Sequence, residues 1–235
     1  MAGVMLAVAV ALTTFAVNEG ARREALREAE RLGLNTIIVR HPRRALTLGD
    51  AERLPALVPV IGAVSPAVEA AASIAGPLSV QSTRVAGVTS AYGTIRRLTA
   101  VDGRVLHAGD DASGARVCVV TAELARRLFG YRRPVGEAIR IGRDWYTVVG
   151  VMPDDGASQA LVPLSALLSR RPAHEPGQQV DALWIEVSGG SMIRHTGSAI
   201  RRALGRTRTR DDGYEIVVAR DLAAARDRTQ QMFTV

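Results

Sequence analysis

The side chains able to do chemistry are few in this sequence, and their spacing does not bring them together. Four histidines, His41, His107, His174 and His195, lie far apart, and none has a partner at metal-ligand spacing. They read as surface or loop histidines. Ser65 lacks the flanking glycines of a nucleophile elbow. The aspartate pairs Asp110-Asp111, Asp154-Asp155 and Asp211-Asp212 each sit beside glycine or serine, the setting of turn carboxylates rather than of a catalytic pair or a calcium site. The chain contains no lysine, so a G-x-x-x-x-G-K-[ST] phosphate loop cannot occur, and no G-x-G-x-x-G follows a strand. ATP hydrolysis through a P-loop and dinucleotide binding are both excluded for this chain. No catalytic, cofactor-binding or metal-ligating residue is assigned.

The remaining reactive group is Cys118, the single cysteine, which rules out an internal disulfide and a cysteine-based metal cluster. It lies in the apolar run Arg116-Val117-Cys118-Val119-Val120 and reads as a small buried hydrophobe. Trp145 and Trp184 fall in strand patterns and read as core or half-buried packing residues, with partner contacts as the alternative.

The formal net charge is +7, carried entirely by arginine. The arginines come as dispersed pairs, such as Arg96-Arg97 and Arg132-Arg133, without the interleaved aromatics that a base-stacking surface requires. Nucleic-acid binding is therefore not expected. The arginines read as solvated faces, with attraction to an anionic surface as the second reading.

Residues 2–17 form a run of sixteen residues without a charge. No basic region precedes it and a polar helix follows, so it reads as a transmembrane helix missing its first turns rather than as a signal peptide. A buried core helix is the alternative. Glu19 to Leu32 continues as a stalk, with Glu19-Arg23 and Glu24-Arg27 at helical spacing and Gly33 as a C-cap. Arg22, Arg23, Arg27 and Arg31 would be cytoplasmic by the positive-inside tendency.

Strand signals at 35–40, a capped helix at 47–54 stopped before Pro55, and a strand at 60–64 form one β-α-β unit. Short β-like runs at 78–88, 116–120, 138–141 and 145–151, with a helix at 121–129 closed by Gly130, make a compact β-rich middle. A strand at 182–187, a helix at 191–204 and a strand at 214–218 form a second β-α-β. The expected class is thus α+β, a split ferredoxin-like domain interrupted by a β-rich insertion. The last stretch, 221–235, reads as a helix turning apolar at Met232, Phe233 and Val235.

Four stretches carry a family resemblance. They are the stalk junction Glu19-Gly20-Ala21-Arg22-Arg23-Glu24 with the following Leu32 to Val39, Ser113 to Val120 with Ala125 to Gly130 and Pro134 to Gly136, Ile139 to Gly142 leading to Tyr146 to Val151, and Arg228 to Phe233. In this order and spacing the chain resembles the MacB-like periplasmic core domain of MacB/FtsX-like ABC-transporter permeases.

The resemblance implies a porter-type domain at 34–72 and 157–220, an inserted subdomain at 73–156, a transmembrane helix and stalk at 1–33, and a stalk helix at 221–235 leading to a second membrane helix. It implies a bacterial inner-membrane protein with this domain outside the cytoplasm, against the local arginine bias. It further implies a non-enzymatic permease subunit that a cytoplasmic ATPase drives by mechanotransmission. ATP would be bound by that partner subunit or domain, with no cofactor in this chain. The implied partners are the ATPase, a second permease copy, and a periplasmic membrane-fusion protein or envelope substrate. A membrane-anchored sensor or adaptor domain is the alternative function. An extracytoplasmic hydrolase is a third reading, against which the missing catalytic constellation stands.

Overall fold

The computed structural model describes residues 35–41, 46–154, 159–169, 179–188, 193–205 and 214–218. The apolar run at 2–17, the stalk, and the junction residues Glu19, Gly20, Ala21, Arg22 and Arg23 lie outside the described residues. So do the expected C-terminal helix at 221–235, His174, Asp155 and the Asp211-Asp212 pair.

Strand β1 (Thr36–Arg40) is buried along four of its five positions, because both faces of its sheet are covered. Ile37 and Val39 point to one core and Ile38 to another. A two-residue strand β2 (Leu46–Thr47) leads into helix α1 (Leu48–Leu57). Thr47 Oγ1 accepts from the Asp50 amide at 3.2 Å and Asp50 Oδ2 accepts from the Thr47 amide at 3.0 Å, a reciprocal capping box. The helix does not stop before Pro55 as the sequence suggests. The Val58 amide donates to the Leu54 carbonyl at 2.9 Å, so the ladder resumes across the one missing N–H.

The next strand, β3 (Ile61–Ala75), is fifteen residues long, far beyond the expected 60–64. Its first part pairs with β11 (Ala182–Val187) and its second with β4 (Val80–Val88). Pro66 precedes the handover at Ala67, which pairs with both Ala182 and Val88. Its missing N–H therefore costs β4 no hydrogen bond.

The edge strand β12 (Glu215–Val218) completes a four-stranded antiparallel sheet in the order β12-β1-β11-β3. Helices α1 and α6 (Ile193–Gly205) cover one face. This is the ferredoxin-like arrangement, and its core includes Ile37, Leu54, Leu183, Ile185 and Ile200. Each such large side chain contributes on the order of 1.5–3 kcal/mol by leaving water.

Beyond Ala67 the chain builds a closed barrel. β4 pairs with β9 (Gln159–Pro163), β9 with β6 (Val117–Thr121), β6 with β8 (Asp144–Met152), and β8 with β7 (Ala138–Ile141). β7 closes on the tip of β3 through Ile74 and Ala75. Six strands thus leave no free edge around the ring. Ile74, Cys118, Ile139, Tyr146 and Val148 fill it, and helix α4 (Ala122–Phe129) packs Leu124, Leu128 and Phe129 onto the same core.

Between sheet and barrel a third cluster joins Ile38, Ala67, Val119 and Trp184 to Tyr92 and Ile95 of the short helix α2 (Ala91–Ile95). Tyr92 meets Trp184 edge to face at 5.1 Å, and the Arg96 guanidinium lies 5.1 Å from the Trp184 ring centre. The two-residue strand β5 (Asp102–Gly103) pairs with β8 and leads to helix α3 (Ala108–Ser113).

Candidate functional site: the groove between the two lobes

An open groove of about 740 Å³ runs along the seam between the ferredoxin-like lobe and the barrel. Its first wall is α1, through Leu48, Ala51, Glu52 and Pro55. Pro55 stands in this wall because the helix continues through it. The floor is the start of β3, from Gly62 to Pro66. The opposite wall is helix α5 (Leu164–Leu168) with Ser169, and Thr89, Ala91 and Asp111 close the end.

Asp111 is held by α3, which it shares with Asp110, so the pair does not sit in the turn that its sequence setting suggested. The reason is local. His107 caps α3, its Nδ1 accepting from the Gly109 amide at 3.0 Å, and Asp110 Oδ2 accepts from the His107 amide at 3.0 Å. Gly114, in the left-handed region at φ 59°, ends the helix. The two neighbouring carboxylates then diverge. Asp110 pairs with Arg104. Asp111 turns toward the groove, where its Oδ2 accepts from the Ser90 amide at 2.6 Å and its Oδ1 is buried with no geometric hydrogen bond to any described residue. Burial pushes the Asp111 carboxyl above its ordinary pKa, against the pull of Ser90. Ser165 Oγ, in the opposite wall, is likewise buried and makes no hydrogen bond to a described residue.

The other residues singled out in the sequence do not converge here. Ser65 is fully buried and accepts from Thr89 Oγ1 at 2.8 Å, a packing hydroxyl with no base beside it. Cys118 lies inside the barrel, where burial pushes its thiol far above the usual value. His41 packs edge to face on Tyr214 at 5.0 Å. His195 lies on α6. Asp154 accepts from the Glu123 amide at 2.6 Å and from Arg126 at 3.2 Å, closing the start of α4. Trp184 is buried, but Trp145 is 61% exposed. The two tryptophans differ because Trp145 takes the outward face of β8 and its neighbour Tyr146 the inward one.

Among the described residues no group of three or more histidine, cysteine or acidic side chains is placed to hold a metal ion. The groove offers shape and charge rather than a nucleophile with its base. The groove has no signature in the sequence, because its walls come from residues 48–66, 89–91, 111 and 164–169, and no local motif links them.

The same fold, a ferredoxin-like sheet sharing a strand with a small closed barrel, occurs in the solved extracytoplasmic regions of MacB and YknZ. The crystal structure of the periplasmic region of MacB from Actinobacillus actinomycetemcomitans superposes with a TM-score of 0.71, over 87% of this chain and 98% of that one, at 16% identity. The extracellular domain of the noncanonic ABC-type transporter YknZ from Gram-positive bacteria gives 0.67, over 78% and 100%, at 21% identity.

The sequence profile of the MacB-like periplasmic core domain matches residues 1–203, and the chain belongs to that family. It is 24% identical to the macrolide export ATP-binding/permease protein MacB of Bdellovibrio bacteriovorus, over all of this chain and 40% of that protein. It is 25% identical to the pyoverdine export ATP-binding/permease protein PvdT of Pseudomonas savastanoi pv. phaseolicola, over 99% of this chain and 37% of that protein. The chain thus spans about two fifths of the length of the curated relatives it matches.

Proposed function

We propose that this chain is the extracytoplasmic core of a permease subunit in a MacB-like ABC transporter, coupling ATP hydrolysis by a partner to efflux or to work on envelope proteins. The observation that carries this reading is the pairing of Ile37 with Val218. It puts the point where the chain enters β1 beside the point where it leaves β12. The segments at 1–34 and 219–235 therefore join the domain at one place, as two stalks rooted in one membrane must.

In this reading residues 2–17 lie in the bacterial inner membrane, and Glu19 to Leu32, with the junction Glu19, Gly20, Ala21, Arg22 and Arg23, transmits movement to the sheet. Among the described residues no helix is long and apolar enough to cross a membrane. ATP is bound by a partner subunit or domain, and this chain itself catalyses nothing. A second permease copy and a periplasmic membrane-fusion protein complete the assembly. In the same reading that movement reaches the barrel through β3, whose fifteen residues pair with strands of both lobes.

The test uses Tyr131→Cys, at a fully exposed position of the barrel lobe. A membrane-impermeant maleimide should label it in intact spheroplasts, and the chain should co-purify with a nucleotide-binding subunit. Labelling only after lysis would sink the location. Labelling without any ATPase in the purified complex would favour the membrane-anchored sensor or adaptor instead.

A further inference from the structure

We propose that the outward face of the barrel, around Trp145 and Arg140, is a docking surface for a peptidoglycan strand, a glycan whose sugar rings have an apolar face and whose peptide stems carry carboxylates. Among the described residues six large apolar side chains are more than half exposed, and four of them, Leu78, Val80, Tyr131 and Trp145, gather at one end of the barrel. The strand register makes this one surface. Trp145 pairs with Arg140, Arg140 with Ala75, and Ala75 with Val80, a row of outward positions across β8, β7, β3 and β4. Their neighbours Tyr146, Ile139, Ile141 and Ile74 point inward and are buried. The row covers three strand spacings, about 14 Å. At its end the turn between β3 and β4 is tied to α4. The Leu78 amide donates to the Leu128 carbonyl at 3.1 Å, and Ser79 Oγ donates to the Arg127 carbonyl at 2.6 Å. The backbone of the surface is thus fixed before any partner arrives, which lowers the ordering cost of binding.

An exposed patch of this kind marks a contact surface, and its charge selects the partner. Arg132, Arg140 and Arg143 are exposed and form no ion pair among the described residues. Between residues 130 and 148, Arg133 is held by Asp102 and Asp144 by Arg116, which leaves Glu137 as the single carboxylate without an ion pair. The excess is positive, so a second copy of this chain is repelled and an anionic partner attracted. A guanidinium takes a stem carboxylate through two parallel hydrogen bonds, while the indole of Trp145 beside it packs on the apolar face of a sugar ring. Position decides between a cell-wall glycan and an anionic membrane. β3 runs in the same direction as β1, since both are antiparallel to β11. From Ala63, level with Thr36 where the chain enters the sheet, β3 advances on the order of 40 Å to Ala75. The inference rests on the placement proposed above, in which this far end of the domain faces away from the bilayer and toward the cell wall.

The measurement uses the full chain in a nonionic detergent. In Trp184→Phe the remaining tryptophan is Trp145, and its emission should shift to the blue as soluble peptidoglycan fragments are added. The parent chain should sediment with isolated sacculi. Trp145→Ala should weaken that binding about tenfold and Arg140→Glu at least as much. Arg201→Glu, at an exposed position of α6 in the other lobe, makes the same change in net charge and should bind as the parent does. All three variants should melt within a few degrees of the parent. Binding unmoved by Trp145→Ala and Arg140→Glu, or weakened equally by Arg201→Glu, would overturn the assignment. A Trp145 shift with phosphatidylglycerol mixed micelles and none with the fragments would overturn it too, in favour of a membrane contact. Sacculus binding is measured on purified chain, so its failure is distinct from a failure of the maleimide labelling that tests the placement.

Discussion

Arg104 and Asp110 meet through two parallel hydrogen bonds, Nη1 to Oδ2 at 2.7 Å and Nη2 to Oδ1 at 3.0 Å, with the carboxylate almost wholly buried and the guanidinium half open to water. The pair ties the segment after β5 to α3, and His107 Nε2 approaches the same carboxylate at 3.6 Å. Fork-to-fork geometry of this kind is stronger than an ordinary surface ion pair.

The Arg104 bonds hold the Asp110 carboxyl below its ordinary value of 3.8. A carboxylate depressed in the folded state contributes stability that is full above the unfolded value and is lost as pH falls through the folded one. Asp110→Asn should therefore cost about 1–3 kcal/mol at neutral pH. The gap to the parent should close as pH drops below the ordinary carboxylate range. Urea unfolding at pH 7 and pH 3 checks both; a gap independent of pH would mean the charge contributes nothing.

Cys118 should be inert in the folded protein. It is fully buried in the barrel, and the thiolate that reacts with disulfide reagents is disfavoured there. Titration with a chromogenic disulfide should show no rapid thiol in native protein and one per chain in denaturant. Rapid native reaction would show that the barrel opens.

Gly150 marks the tightest backbone approach in the barrel. A Cβ added there would stand 2.0 Å from the Arg104 carbonyl oxygen, which is backbone and cannot rotate aside. Gly150→Ala should destabilise by the upper part of about 1–3 kcal/mol. Gly205→Ala, at the end of α6 with nothing within 4 Å of the added carbon, is the control and should be neutral or mildly stabilising. Differential scanning fluorimetry separates the two.

The two tryptophans should report separately. Trp145→Phe should leave a blue-shifted emission that acrylamide quenches poorly, since Trp184 lies under Tyr92 and Arg96. Trp184→Phe should leave a red-shifted emission that is readily quenched. Trp184→Ala, which empties the seam between sheet and barrel, should cost about 3–5 kcal/mol in chemical denaturation.

Much of the architecture is written locally in this chain. Capping at Thr47 and at Thr121, whose Oγ1 accepts from the Leu124 amide at 3.4 Å, the left-handed Gly114, and the alternation of β8 around Tyr146 are properties of short stretches, which is why the split ferredoxin-like class and the β-rich insertion are legible in sequence. The lack of a P-loop is equally local, since one missing residue type decides it.

Other features depend on contacts between distant residues. The length of β3 is hidden because its alanine-rich second half has little hydrophobic contrast between its faces, and only pairing with β4 and β7 makes it a strand. Helix α1 crosses Pro55 because a single lost N–H is outweighed by packing of Leu54 in the core. Asp110 and Asp111 are identical in type and adjacent in sequence, yet one is neutralised by Arg104 and the other faces an apolar groove. Which carboxylate is which follows from residues 48–66 and 164–169 folding up beside them, and that juxtaposition exists only once the barrel has closed onto the sheet.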